Sequence, residues 1–211
     1  MNPEPLAAFA DLMVIGEAEP VLAELMTHLA DCAALDRESL LHRIGASLPG
    51  CYVPALYRFV HGPDGVLARI EPAAGLPQRV TRIMAPAMDV AAHSTLLSPE
   101  AELSMYMVEL GRGCRFCAAG FIYRPPRLWP AETILRGLEA RPAGVDRIGL
   151  LGMEMAAPET VDQIATLLAA NSCSLSFSSL RADRITDQTL SLLAASRLKS
   201  VAIAADGCSA R

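Results

Sequence analysis

Between residues 105 and 204, short apolar runs alternate with amphipathic stretches, and this alternation restricts the fold more than any other feature of the chain. It predicts a strand over 105–110, a helix over 130–140 opened by Pro130, and a strand over 147–152. A helix follows over 158–169, with Val161, Ile164, Ala165 and Leu168 on one face at helical spacing. Then come a strand over 174–178, a helix with Thr186 as its N-cap, and a strand over 200–204. Strands separated by helices pair through crossovers rather than tight turns, so an α/β fold with a parallel sheet is expected. Such sheets take ligands at the carboxyl ends of their strands. Those ends carry Cys114 and Cys117, the turn Gly152-Met153-Glu154, Ser178 and Ser179 with Arg181, and Asp206.

The first hundred residues follow a different pattern. Residues 12–15 read as a buried strand, Gly16 as a turn and 20–30 as an amphipathic helix, which makes one β–turn–α unit. A second short helix is expected over 37–44. The run "ALYRFVHGPDGVLARIE" reads as a hairpin, with Gly62-Pro63-Asp64-Gly65 supplying the turn chemistry. Residues 72–104, rich in Pro and Ala, read as a connecting segment across a surface.

Composition removes several functional classes. Hydrophobic residues at 52% and charged ones at 19% allow a substantial core and argue against wholesale disorder. A net charge of -5 argues against a general nucleic-acid surface. The amino terminus "MNPEPLAAFADL" has acidic and no basic residues, unlike a signal peptide. No apolar run approaches the ~20 residues that span a bilayer. Six cysteines at irregular spacing do not form a secreted disulfide framework, so a cytoplasmic protein is expected.

The stretch "VELGRGCRFCAAGFIYRPPR" concentrates the chemistry in Cys114 and Cys117. Spacing alone leaves three readings open: a redox pair, half a zinc site, or part of an iron–sulfur motif. The glycines around the pair are unlike the helix start that a redox pair opens. Cys173 and Cys208 are isolated rather than paired as a second Cys-x-x-Cys. Cys32, Cys51 and Cys173 read as small buried apolar residues. Arg112, Arg115, Arg124 and Arg127 flank the pair, either favouring thiolates or merely solvating the segment.

The same stretch, "ELGRGC…RFCAAGFIYRPPR", resembles the cluster-binding loop of radical S-adenosylmethionine (radical SAM) enzymes. It is most similar to the bacterial subgroup whose radical domain follows a cobalamin-binding domain. "NPEPLAAFADLMVIGEAEPVLAEL" is similar to the end of that cobalamin-binding domain, and "LPGCYVPALY" to the segment joining it to the radical domain. "SSLRAD" and "VAIAADGCSAR" resemble the third and fourth strands of the family barrel. The resemblance implies a partial parallel (β/α) barrel preceded by a short Rossmann-like βα remnant and a β-hairpin linker. Residues 1–50 would be the cobalamin-type remnant, 51–104 the hairpin and linker, and 105–211 the amino-terminal part of the barrel, four of the family's six βα units. The family's cofactors are a four-iron–four-sulfur cluster and S-adenosylmethionine, which together generate a 5′-deoxyadenosyl radical. Cobalamin belongs to full-length members, and its site is not in this chain. An electron donor such as a flavodoxin or ferredoxin, small-molecule cofactors and self-association through an open barrel edge are the implied partners.

Carried over residue by residue, Cys114 and Cys117 match the second and third cluster ligands and Phe116 the aromatic before the last one. Gly152 and Glu154 resemble the turn that contacts the amino group of S-adenosylmethionine, and Ser179 and Arg181 stand where ribose and carboxylate would be held. The first ligand of Cys-x-x-x-Cys-x-x-Cys has no counterpart, because Leu110 stands four residues before Cys114. The chain as written is therefore expected to hold a cluster poorly and to show little or no radical chemistry. Two other classes stand beside this reading: a non-catalytic α/β remnant acting through a partner, and a zinc or dithiol Cys-x-x-Cys module.

Overall fold

The computed structural model describes residues 2–32, 34–86, 90–98, 100, 105–114, 118–152, 157–177, 180–182, 185–196 and 200–204. They divide into two compact units, Met1–Pro86 and Ala87–Arg211.

In the first unit, β1 (Met13–Val14) leads through Gly16 into α1 (Glu19–Asp31), and α2 (Arg37–Ser47) follows. Asp36 starts α2 as its N-cap, its carboxylate accepting the Ser39 N–H at 3.0 Å. The β–turn–α order is that expected of the βα remnant, but β1 pairs antiparallel with β2 (Cys51–Tyr52). A glycine is required at Gly16: its φ is +122°, and a Cβ there would run into the Ile83 backbone, which accepts the Glu17 N–H at 3.1 Å. Val21, Leu25, Ile44, Leu48 and Cys51 form this unit's core. β3 (Tyr57–His61) and β4 (Leu67–Pro72) form the antiparallel hairpin, its turn at Gly62-Pro63-Asp64-Gly65.

The second unit begins with a segment that lies along a strand. β5 (Tyr106–Glu109) accepts the Ser94 N–H at the Met107 carbonyl and donates its Glu109 N–H to Ala92. Ala91 is fully buried there, so this part of the segment 72–104 enters the core rather than crossing a surface. Small residues permit it: a Cβ on Gly137 would sit 3.3 Å from the Ala91 Cβ.

The chain continues through β6 (Gly111–Arg112), α3 (Ala118–Ile122), β7 (Arg127–Leu128), α4 (Ala131–Glu139), β8 (Arg147–Leu151) and α5 (Pro158–Ala170). It closes with β9 (Ser174–Phe177), β10 (Leu180–Arg181), α6 (Asp187–Ala195) and β11 (Ile203–Ala204). β5, β8 and β9 form a parallel sheet in that order, and β10 pairs in parallel with β11. This is a mixed α/β architecture, and among the described residues its sheet does not close into a barrel.

The crossovers from β5 to β8 and from β8 to β9 move one strand along in the same direction, and α4 and α5 pack against the same alternate residues. Tyr106, Val108, Leu110, Ile148, Leu150 and Leu175 pack with Ile134 and Leu138 of α4 and Ile164 and Leu168 of α5. Fully burying one such side chain contributes about 1.5–3 kcal/mol. The Tyr106 hydroxyl donates to the Gly137 carbonyl at 2.7 Å, which satisfies the one polar atom its ring brings into this core. The alternate residues of the same strands, Met107, Glu109 and Ser176, are only partly buried, so the sheet's two faces differ.

Candidate functional site

The cysteine loop leaves the sheet at the carboxyl end of β5. The last rung of β5 against β8 is Glu109 to Leu151, and the Leu110 N–H extends it to the Leu151 carbonyl at 2.8 Å. β6 and β7 then pair antiparallel, Gly111 with Leu128 and Arg112 with Arg127, closing the base of an excursion over 113–126. The Trp129 N–H ties its exit to the Leu110 carbonyl at 3.0 Å. The loop is thus clamped at both ends to the strand that carries it.

Cys114 follows this clamp and precedes α3, half-buried and free. Its N–H donates to the Gly120 carbonyl at 3.1 Å, so the loop folds back on its own short helix. Two glycines make room for that turn. Gly113 has φ +78°, and a Cβ there would meet the Tyr123 carbonyl at 2.5 Å. A Cβ on Gly120 would collide with the Cys114 Sγ. The Cys114 thiol therefore fills the space that Gly120 leaves vacant.

The basic residues around the loop have specific contacts. Arg112 Nε donates to both Glu109 carboxylate oxygens, at 2.8 and 2.9 Å, with both side chains largely buried. The Arg124 guanidinium lies 4.9 Å from the centre of the Phe121 ring, and that of Arg127 lies 5.8 Å from the Trp129 ring. The Glu109–Arg112 pair was not legible in the sequence, because a three-residue spacing brings side chains together on a helix and these two stand on strands β5 and β6. Nor was the seat made by Gly120, because it depends on how the loop turns back.

Gly152 stands at the carboxyl end of β8 with φ +83°, beside the start of the cysteine loop in the ladder. Arg181 is a backbone member of β10, paired with Ala204 of β11. Phe116, Cys117, Glu154 and Ser179 lie outside the described residues, as do Arg115, Asp206 and Cys208. Cys114 and Gly152 thus follow neighbouring strands of the β5–β8–β9 sheet, whereas Arg181 ends β10 of a separate two-stranded sheet.

Cys173 lies elsewhere. It immediately precedes β9, at the amino end of the sheet, where it receives a hydrogen bond from Arg141 at 2.9 Å. Four residues of strand separate that end from the other, roughly 13 Å at a rise of ~3.3 Å per residue. Cys173 is thus not available to complete a ligand set with Cys114. Cys32 and Cys51 are buried in the first unit, and burial pushes the Cys51 thiol pKa up, which disfavours a thiolate.

Residues 1–54 match the family model described as radical SAM proteins, N-terminal. This supports placement in the radical SAM superfamily, over 54 of 211 residues. No curated protein and no solved structure matches the chain. The matched residues contain β1, α1, α2 and β2, whereas the cysteine loop lies beyond them.

A radical SAM cluster needs three thiolates, and the described residues do not supply them at this loop. Leu110, at the position of the first ligand, is fully buried in the core and has both its backbone N–H and its carbonyl committed to the ladder. Among the described residues no group of three His, Cys, Asp or Glu side chains stands together. No helix among the described residues is long and apolar enough to cross a membrane.

Proposed function

We propose that this chain is a radical SAM-type protein of the subgroup whose radical domain follows a cobalamin-binding domain, with an incomplete cluster loop. Cys114 and Cys117 would be its iron ligands, Gly152, Glu154, Ser179 and Arg181 would hold S-adenosylmethionine, and Phe116 is the aromatic before the last ligand. The strands from β5 to β11 are the first part of a (β/α) barrel wall. No residue here is assigned to cobalamin. The cluster supplies one electron to S-adenosylmethionine when bound; this chain's residues hold, orient and shield.

The observation that carries the reading is the placement of Cys114 on a loop clamped to the carboxyl end of β5, beside Gly152. The family match over residues 1–54 supports it from another part of the chain. With two thiolates in place of three, one further iron takes water or an external thiol, which exposes the cluster and lowers its stability. Anaerobic reconstitution with iron and sulfide, followed by metal analysis and a visible spectrum, tests the assignment. The expected result is a labile, substoichiometric iron–sulfur chromophore that disappears in Cys114→Ala. A colourless chain with one tightly held zinc would overturn it in favour of a zinc module.

A further inference from the structure

The unit Met1–Pro86 contains a cavity of about 310 Å³ lined entirely by its own residues. That volume is at the lower end of small-ligand pockets. Three aromatic rings, Tyr52, Tyr57 and Phe59, line it together with aliphatic side chains. Tyr52 and Tyr57 stand with ring centres 5.1 Å apart and planes inclined at 55°, forming a corner rather than a parallel stack.

The polar groups at this cavity are unevenly spent. The Tyr52 hydroxyl donates to the Glu4 carboxylate at 2.5 Å, and the Tyr57 hydroxyl donates to the Pro77 carbonyl at 3.0 Å. The Gln78 amide donates to the Ile70 carbonyl at 2.9 Å. What these groups retain are mainly acceptors, namely lone pairs of both phenols, the second Glu4 oxygen and the Gln78 carbonyl, beside one N–H of the exposed Gln78 amide. The remaining donors are on exposed lining residues, the Arg79 guanidinium and the Asn2 amide. Aromatic faces and a carboxylate attract an organic cation, and a guanidinium at the edge attracts an anion.

We propose that this cavity binds a compact zwitterion, an alkylated onium head against the rings and Glu4 with an anionic tail toward Arg79. The site is separate from the proposed cluster loop, so each reading stands or fails alone. Calorimetric titration of the full chain with trimethylglycine, and with 3,3-dimethylbutanoate, tests it. The two probes share shape and carboxylate and differ only in the charge of the head. Trimethylglycine is expected to bind at least about tenfold more tightly. Glu4→Gln, which keeps an acceptor for Tyr52, is expected to weaken trimethylglycine about fivefold or more and to leave the neutral-headed probe unchanged. Equal affinity for the two probes, or no binding of either, overturns the proposal, as does unaltered affinity in Glu4→Gln with an unchanged thermal midpoint.

Discussion

Gly120 decides whether the cysteine loop can adopt its fold. The Cys114 Sγ occupies the place a side chain would take, and the Cys114 backbone nitrogen would lie 3.1 Å from the added carbon. Overfilling a packed site costs about 1–3 kcal/mol. Gly120→Ala is expected to lower stability by that amount and to speed alkylation of Cys114, because the thiol is displaced from its seat. Urea titration and the rate of iodoacetamide labelling measure the two effects. Unchanged stability and labelling would mean that the loop does not fold back onto α3. Leu110 gives the complementary lesson. The position where a first ligand is expected belongs to the sheet ladder and the core, so the missing thiolate is not displaced by a small shift of the chain.

At the scale of elements, period and punctuation were readable in advance. The helix predicted to begin after Thr186 is α6, and the Thr186 hydroxyl accepts the Thr189 N–H at 3.2 Å. Thr186→Ala is expected to cost about 0.5–2 kcal/mol through loss of this cap. Denaturant midpoints should fall accordingly, and an unchanged midpoint would show that tertiary packing alone fixes the helix. Strands β5, β8 and β9 were equally legible, since apolar runs separated by amphipathic helices that open at Pro130 and Pro158 leave little choice. Pairing partners were not. Nothing local in residues 12–15 or 51–52 signals that β1 and β2 meet antiparallel, nor that β11 joins β10. The burial of Ala91 was hidden for the same reason: a Pro- and Ala-rich segment carries no period, and its contacts with β5 and Gly137 are long-range. At the site, the sequence expected a loop after the first strand of the parallel set and Cys114 lies on one, but which side chains that loop closes upon depended on the turn itself.

At the scale of the molecule, the β5–β8–β9 sheet advances in one direction, and β11, the last described strand, pairs with β10 in a separate sheet and exposes Ile203. Among the described residues no strand pairs with the other edge of β11. An exposed apolar edge strand is a template for association. Light scattering of the chain is therefore expected to show concentration-dependent self-association that Ile203→Lys reduces; a monomer insensitive to that change would rule the edge out as the contact. The central claim, however, concerns the count of thiolates at the loop. Its most direct test compares the chain as written with a variant carrying Ala-Ala-Gly-Cys inserted between Cys114 and Arg115, which restores Cys-x-x-x-Cys-x-x-Cys, both reconstituted anaerobically. Iron and sulfide content and cleavage of S-adenosylmethionine under reduction are the readouts. The account predicts a full, stable cluster and cleavage in the three-thiolate variant, against a depleted cluster and little or no cleavage in the chain as written. Equal cluster content and equal cleavage in the two would contradict it.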